Sequence, residues 1–274
     1  MENTERKEAL FAEPVERREV VRVEGLSKTF TLSRKQQKIE RTTLTRKVAV
    51  DGLSFSAYRG EIYGLLGPNG AGKTTTLRIL STLIRPDAGR AFVCGHSVTC
   101  EPHKVRDNIG FLTSELKLEG FFTPDYLFDF FGAMHGVDKE TLAQRKRELF
   151  ERFGIDRFAQ VRVKDLSTGM LQKVSLVISI AHDPEVLIFD EPTNGLDVLT
   201  AKVVTDFLVE LRQMGKSVLL STHIFSLVEK LCDRVGIMID GRMVESGTLA
   251  EITAGESLEN KFFSIYHAMK GQGV

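Results

Sequence analysis

Residues 67–74 form a glycine-rich segment whose residue types and spacing suit the binding of phosphate groups. They read Gly-Pro-Asn-Gly-Ala-Gly-Lys-Thr and match the pattern G-x-x-x-x-G-K-[ST]. Glycine permits close approaches that a Cβ atom would prevent, so consecutive N–H groups can surround a phosphate at the start of a helix. We expect Lys73 to reach the β- and γ-phosphates of a nucleotide and the Thr74 hydroxyl to bind Mg²⁺. The predicted nucleotide-binding residues of this segment are Gly67, Pro68, Asn69, Gly70, Ala71, Gly72, Lys73, Thr74 and Thr75.

Two adjacent carboxylates, Asp190 and Glu191, are candidates for the second half of such a site. They follow residues 186–189, an apolar run with the length of a buried strand. Asp190 is expected to hold Mg²⁺, directly or through water, and Glu191 to orient and deprotonate the attacking water as a general base. Many strands end in charged loops, so the carboxylate pair alone is weak evidence. It becomes informative because the chain also has the phosphate-binding segment.

The segments that must position these residues alternate between strand and helix patterns. Apolar runs predict buried strands at 61–66, 186–189, 217–220 and 235–239. Helical patterns between them indicate an α/β fold with a mostly parallel, covered sheet. Polar and apolar residues alternate at 20–24 and 53–57, which predicts the half-buried strands of a hairpin.

A different pattern occupies residues 112–182, where only helices are predicted. Thr123, Asp138 and Ser167 each precede a helical pattern and are suitable N-cap residues. We therefore expect an all-helical insertion in the α/β frame. Residues 251–274 are predicted to form a C-terminal helical segment whose apolar stripe packs on its own domain or on a sister domain.

Composition restricts the class of protein further. The chain has 274 residues, 37 basic and 37 acidic side chains and a net charge of zero, so no global charge favours nucleic acid, which is not expected as a partner. Its three cysteines show no C-x-x-C spacing, which argues against a zinc site or a disulfide framework. Without an apolar run of about 18 residues, the chain is expected to be cytoplasmic unless another protein holds it at a membrane.

Two segments stand apart in composition. Residues 1–19 mix charges with little apolar periodicity and are predicted to form a flexible N-terminal arm. Residues 31–47 carry six basic residues and one acidic residue inside the predicted hairpin. This basic insertion is either a solvated loop or a contact with phosphates or lipid headgroups.

Together with three further motifs, these residues resemble the ATP-binding cassette (ABC) ATPases that power membrane transporters. Leu166-Ser-Thr-Gly-Met170 opens a helix where that family has its L-S-G-G-Q signature. Asn194-Gly-Leu-Asp197 follows Glu191 as in the family's D-loop, and Ser221-Thr-His223 lies at a strand end like its switch histidine. The resemblance covers residues 20–250.

The resemblance implies a P-loop NTPase of ABC type, with a mostly parallel sheet, an antiparallel β subdomain and a helical insertion. It implies that two cassettes, as a homodimer or a mixed pair, face each other head to tail around ATP and Mg²⁺. Lys73, Glu191 and His223 would be catalytic, while the D-loop contributes Asp197. Signature residues of the other cassette would cover the γ-phosphate, namely Ser167, Thr168 and Gly169.

The same resemblance implies a partner and a location. Integral membrane permease subunits would hold the cassette at the cytoplasmic face of the cell membrane and would determine the transported substrate. The altered signature is most similar to a subgroup that serves sodium-extruding and antibiotic-exporting systems. An aromatic cluster is a candidate for docking the permease, and core packing is the alternative: Phe121, Phe122, Phe128, Phe130 and Phe131.

Several positions depart from the family pattern. Ser114, followed by Glu115, stands where the family has a glutamine that touches Mg²⁺. Phe30 takes the place of an adenine-stacking aromatic residue and can still stack, because only a ring face is needed. The basic insertion follows Phe30 and lengthens this region. A soluble ABC ATPase without a transporter and a regulatory subunit with little turnover remain alternatives.

Overall fold

The computed structural model describes residues 18–39, 42–113 and 118–271, which form two β-sheets, ten α-helices and the short 3-10 helices Asp156–Phe158 and Val163–Asp165. The strands are β1 Glu19–Thr31, β2 Arg46–Tyr58, β3 Ile62–Leu66, β4 Ala88–Val93, β5 His96–Ser97, β6 Ile109–Thr113, β7 Val186–Asp190, β8 Ser217–Thr222, β9 Arg234–Ile239 and β10 Arg242–Thr248. The helices are α1 Arg34–Ile39, α2 Lys73–Leu80, α3 Pro102–Asn108, α4 Pro124–Met134, α5 Lys139–Phe153, α6 Thr168–Ser179, α7 Val198–Gln213, α8 Phe225–Leu231, α9 Leu249–Thr253 and α10 Leu258–Gly271.

The larger sheet has the strand order β10-β9-β3-β8-β7-β6, in which only β10 pairs antiparallel. Side chains of β3 alternate between two cores: Ile62 and Leu66 face one, whereas Tyr63 and Leu65 face the other. Every residue of β3, β7 and β8 is buried, as expected for strands covered on both faces. The predicted mostly parallel, covered sheet is confirmed.

The smaller sheet is antiparallel and has the order β2-β1-β4-β5. It packs on the second core through apolar residues of β1 and β2, including Val21, Val23 and Leu53. The basic insertion connects β1 to β2 and includes the short helix α1. Since α1 has only six residues, the sequence pattern offers little periodicity from which to predict a helix.

The predicted helical insertion is formed by α4, α5 and α6, each begun by the expected cap. The side chains of Thr123, Asp138 and Ser167 accept hydrogen bonds from the backbone N–H groups of Tyr126, Thr141 and Met170, respectively. The edge strand β6 extends to Thr113 and pairs with β7, so the first residues of the predicted 112–182 range belong to the sheet.

The C-terminal helix α10 packs on its own domain. Leu258 and Phe262 are buried in the first core, and the Phe262 ring lies 5.2 Å from that of Phe225 in α8. In the described part of the chain, no helix has the length and apolar character needed to cross a bilayer.

Two histidines connect the helical insertion to the sheet. The rings of His135, which caps α4, and His182 stack with centroids 3.8 Å apart. His182 Nε2 lies 3.0 Å from the Ile109 carbonyl oxygen, and Asp107 is 4.0 Å from His135. Burial, aided by the neighbouring His135, lowers the pKa of His182 to about 4. The His182 ring is therefore neutral in the folded protein at neutral pH.

From the buried position of His182 beside His135 we predict that the protein loses stability in mild acid. Between pH 6.5 and about 4 the unfolded chain binds a proton that folded His182 does not, so stability present at neutral pH is lost as pH falls. We expect the His182 contribution to fall by about 1–2 kcal/mol between pH 7 and pH 5. In urea titrations, His182→Gln should flatten that pH slope while retaining a donor for Ile109; an unchanged slope would contradict the prediction.

Candidate functional site

The glycine-rich segment forms a loop between β3 and α2, as the sequence predicted. Gly70 and Gly72 have φ values of +85° and +99°, a region that L-residues rarely adopt. The Lys73 ammonium donates to the Gly67 carbonyl oxygen at 2.6 Å and to that of Pro68 at 3.2 Å. Helix α2 begins at Lys73, immediately after Gly72, so its N-terminal N–H groups open toward the loop.

Three predicted catalytic residues come together at this loop. Glu191 lies 3.5 Å from the Lys73 ammonium and 3.0 Å from His223 Nδ1. Burial lowers the pKa of Lys73, while the Glu191 carboxylate acts in the opposite direction. Lys73 and Glu191 are largely buried, whereas 41% of the His223 side chain remains exposed. Glu191 thus lies between the Lys73 ammonium and the His223 imidazole, just beyond the carboxyl ends of the parallel strands β7 and β8.

The predicted Mg²⁺ ligands also meet. Thr74 Oγ1 donates to Asp190 Oδ1 at 3.0 Å, which places two hard oxygen atoms side by side. Such a pair fits Mg²⁺, which is held by few protein oxygens together with phosphates and water. Among the described residues there is no group of three or more His, Cys, Asp or Glu side chains that could form an all-protein metal cage. The donor set therefore suits a nucleotide-associated cation.

Ser221 is a contributor that the sequence did not identify as a site residue. Its buried hydroxyl donates to Asp190 Oδ1 and accepts from the Glu191 backbone N–H at 3.2 Å. Glu191 has a φ of +51°, uncommon for a residue with a side chain. Because β8 lies beside β7, Ser221 holds both carboxylate residues in place. A serine at a strand end carries no sequence signal of this role.

A cavity of about 290 Å³ extends from this cluster to Phe30. Its walls include the loop and first helical residues 69–75, together with Leu32, Ala49 and Lys47. Phe30 is 38% exposed, and the Lys28 ammonium lies 5.6 Å from its ring centroid. Phe30 therefore presents a solvent-accessible ring to the same cavity that the glycine-rich loop and Lys73 line.

The signature and D-loop residues lie together, apart from this cavity. Ser167, Thr168 and Gly169 are not among the described residues that line the cavity. A Cβ on Gly169 would lie 2.8 Å from Thr200 Oγ1, and that hydroxyl donates to Asp197 at 2.7 Å. Hydrogen bonds from Thr200 keep the pKa of Asp197 below its ordinary value. Ser114 and Glu115 lie outside the described residues.

The fold and the site define a P-loop nucleoside triphosphatase with a helical insertion. Residues 50–194 match the family model described as "ABC transporter". The chain belongs to the ABC transporter family, whose ATP-binding cassettes bind and hydrolyse ATP. The predicted fold class, an α/β P-loop NTPase of ABC type, is thereby confirmed.

Three relatives place the chain more closely. It is 38% identical to Nod factor export ATP-binding protein I of Ralstonia nicotianae over 77% of this chain and 65% of that protein. It is 40% identical to daunorubicin resistance ATP-binding protein DrrA3 of Streptomyces coeruleorubidus over 76% of this chain and 66% of the relative. It is 35% identical to ABC transporter ATP-binding protein NatA of Bacillus subtilis over 77% of this chain and 87% of that protein. These names are consistent with the predicted exporter-type subgroup, and the chain spans slightly less than two thirds of the first two relatives.

Solved structures agree on the fold. The structure of an ATP-binding subunit of an ABC transporter superposes with a TM-score of 0.78 at 26% identity, covering 90% of this chain and 99% of that one. The structure of a dimeric ATP-binding cassette bound to ADP and Pi superposes with a TM-score of 0.72 at 23% identity, covering 84% of this chain and 98% of that one. The second likeness concerns the fold alone.

Proposed function

We propose that the chain is the ATP-hydrolysing subunit of an exporter and acts as a pair of cassettes beside a separate membrane permease. The observation that carries this proposal is the position of Glu191, whose carboxylate lies within 3.5 Å of Lys73 and 3.0 Å of His223, beside Asp190 and Thr74. A general base, a phosphate-binding cation and hard oxygen ligands are the parts that phosphoryl transfer to water requires.

The residues of this site divide the work. When ATP enters, Lys73 exchanges its contacts with the Gly67 and Pro68 carbonyl groups for contacts with phosphate oxygens. Glu191 is then released to accept a proton from the attacking water, and His223 orients that water or the γ-phosphate. Thr74 and Asp190 would hold Mg²⁺, which when bound neutralises charge on the β- and γ-phosphates.

The separation of the signature from the cavity supports pairing in trans. Ser167 is exposed and caps the N-terminus of α6, where N–H groups and the helix dipole favour an anion. In a head-to-tail pair, this N-terminus would cover the γ-phosphate bound by the partner, so ATP would join the two copies. A lone copy would bind nucleotide with half of the site missing.

Docking on a permease is proposed on the exposed part of the aromatic cluster. Phe128 is fully buried, but Phe121 and Phe130 are 63% and 50% exposed and are joined by ring contacts through Phe122 and Tyr126. Such an exposed apolar row is typical of a protein contact. The membrane partner would hold the cassette at the cytoplasmic face and determine the exported substrate.

A mixing experiment tests the proposed function. Purified Lys73→Ala and Ser167→Ala proteins should each release little phosphate from ATP, because each damages both sites of its own dimer. After mixing in equal amounts, the mixed dimers have one intact site, and we expect about a quarter of the unmodified activity to return.

The matched control mixes Lys73→Ala with Glu191→Gln. Both substitutions damage the same half of the site, so this mixture should recover nothing. Equal recovery in the two mixtures, or in neither while unmodified protein is active, would refute pairing in trans. Absence of phosphate release from the unmodified protein, alone and in membranes with its permease, would refute the ATPase role.

A further inference from the structure

The basic insertion contains a residue that faces the proposed nucleotide site. In the antiparallel ladder between β1 and β2, Lys47 is paired directly with Phe30. Directly paired residues project from the same face of a sheet, with Cβ atoms about 5 Å apart. Both residues line the cavity, together with Leu32 and Ala49. The register of the hairpin therefore brings a lysine beside the aromatic ring on the cavity side.

Two lysines and one carboxylate are among the described residues that line the cavity. Its charged lining residues, within the described parts of the chain, are Lys47, Lys73 and Glu191. Lys73 and Glu191 form an ion pair at the phosphate-binding loop. Lys47 is paired with Phe30, so it lies beside the ring on which the base would stack. A nucleotide whose base stacks on Phe30 and whose terminal phosphates lie at the loop would place its ribose and α-phosphate between them, where the long Lys47 side chain could contact the α-phosphate.

We propose that Lys47 binds the α-phosphate of the nucleotide and thereby makes affinity depend on a 5′-phosphate. This inference rests on the proposed function, because it assumes that the site binds ATP, and on the expectation from the sequence that the base stacks on Phe30. It also gives part of the basic insertion a role: the hairpin delivers one cation to the nucleotide. The exposed α1 residues Arg34 and Lys35 are not among the residues that line the cavity.

The test compares the dissociation constants of adenosine, AMP, ADP and ATP, measured by competition against a fluorescent ATP analogue at fixed salt. Lys47→Met keeps the unbranched apolar stem of the side chain and removes its charge. We expect it to weaken AMP, ADP and ATP by a similar factor, about three- to fivefold as for an exposed ion pair, and to leave adenosine unchanged. Lys47→Arg should restore most of the affinity.

Arg46→Met is the matched control. Arg46 pairs with Thr31, one position along, so its side chain projects from the opposite face of the sheet. The Arg46→Met substitution removes a positive charge from the same strand and should change none of the four affinities by more than about 1.5-fold. Equal weakening by Arg46→Met would replace a direct contact with a general field effect and refute the proposal.

Two further outcomes would also refute it. Weakening of adenosine to the same extent would mean that Lys47 only supports the base pocket, and four unchanged affinities would mean that it makes no contact. Failure of the proposed function is distinguishable, because then the unmodified protein would not bind ATP or would not hydrolyse it. Urea unfolding of each variant verifies that the exposed substitutions leave the fold intact.

Discussion

Glu191→Gln should reduce ATP hydrolysis by about a thousandfold while leaving ATP binding nearly unchanged. The amide keeps the size of the side chain and can still contact His223, but it cannot accept the proton of the attacking water. Loss of its charge also removes the ion pair with Lys73, which lies 3.5 Å away, so Lys73 becomes more available to phosphate. Steady-state phosphate release and equilibrium ATP binding measure the two effects separately.

The control for this prediction is Glu210→Gln. Glu210 lies on α7 and forms an ion pair with Arg152, outside the described cavity lining, so its substitution should leave hydrolysis within about twofold. Glu191→Gln protein that kept more than a tenth of the unmodified rate would show that another group activates the water. It would also favour a different role for the His223–Glu191 contact.

Gly72→Ala should abolish nucleotide binding and lower the free energy of unfolding by about 3 kcal/mol or more. A Cβ at this position would lie 2.2 Å from the Ala49 carbonyl oxygen of β2, and the φ of +99° is itself strained for alanine. The loop and the hairpin that carries Phe30 and Lys47 would have to separate. Urea unfolding and ATP binding report the two consequences.

Gly70→Ala provides a matched control in the same loop. Gly70 also has a positive φ, +85°, but a Cβ there would meet no atom within 4 Å. It should cost only the backbone strain, about 1–2 kcal/mol. If the two variants were equally stable, close packing of Gly72 on β2 would not be the reason for glycine at this position.

Local interactions explain which features the sequence predicted well. The phosphate-binding loop is encoded by eight consecutive residues between a strand and a helix, and the caps Thr123, Asp138 and Ser167 bond N–H groups three residues away. Such contacts depend on short stretches of chain. Of the predicted arm at 1–19, residues 1–17 lie outside the described residues, like Ser114 and Glu115, and stay a prediction. The last residue of the arm, Glu19, instead begins β1 and pairs with Tyr58 of β2.

The sequence by itself determined the candidate chemistry: a lysine after a glycine-rich loop, a carboxylate pair and a histidine at the ends of buried strands. Only the tertiary structure decided which residues surround them. Strand order brought Ser221 under Asp190, the packing of β2 on the loop required glycine at residue 72, and hairpin register placed Lys47 beside Phe30. These arrangements join residues far apart in the chain, and serine, glycine and lysine are too common for their types alone to reveal the pairing.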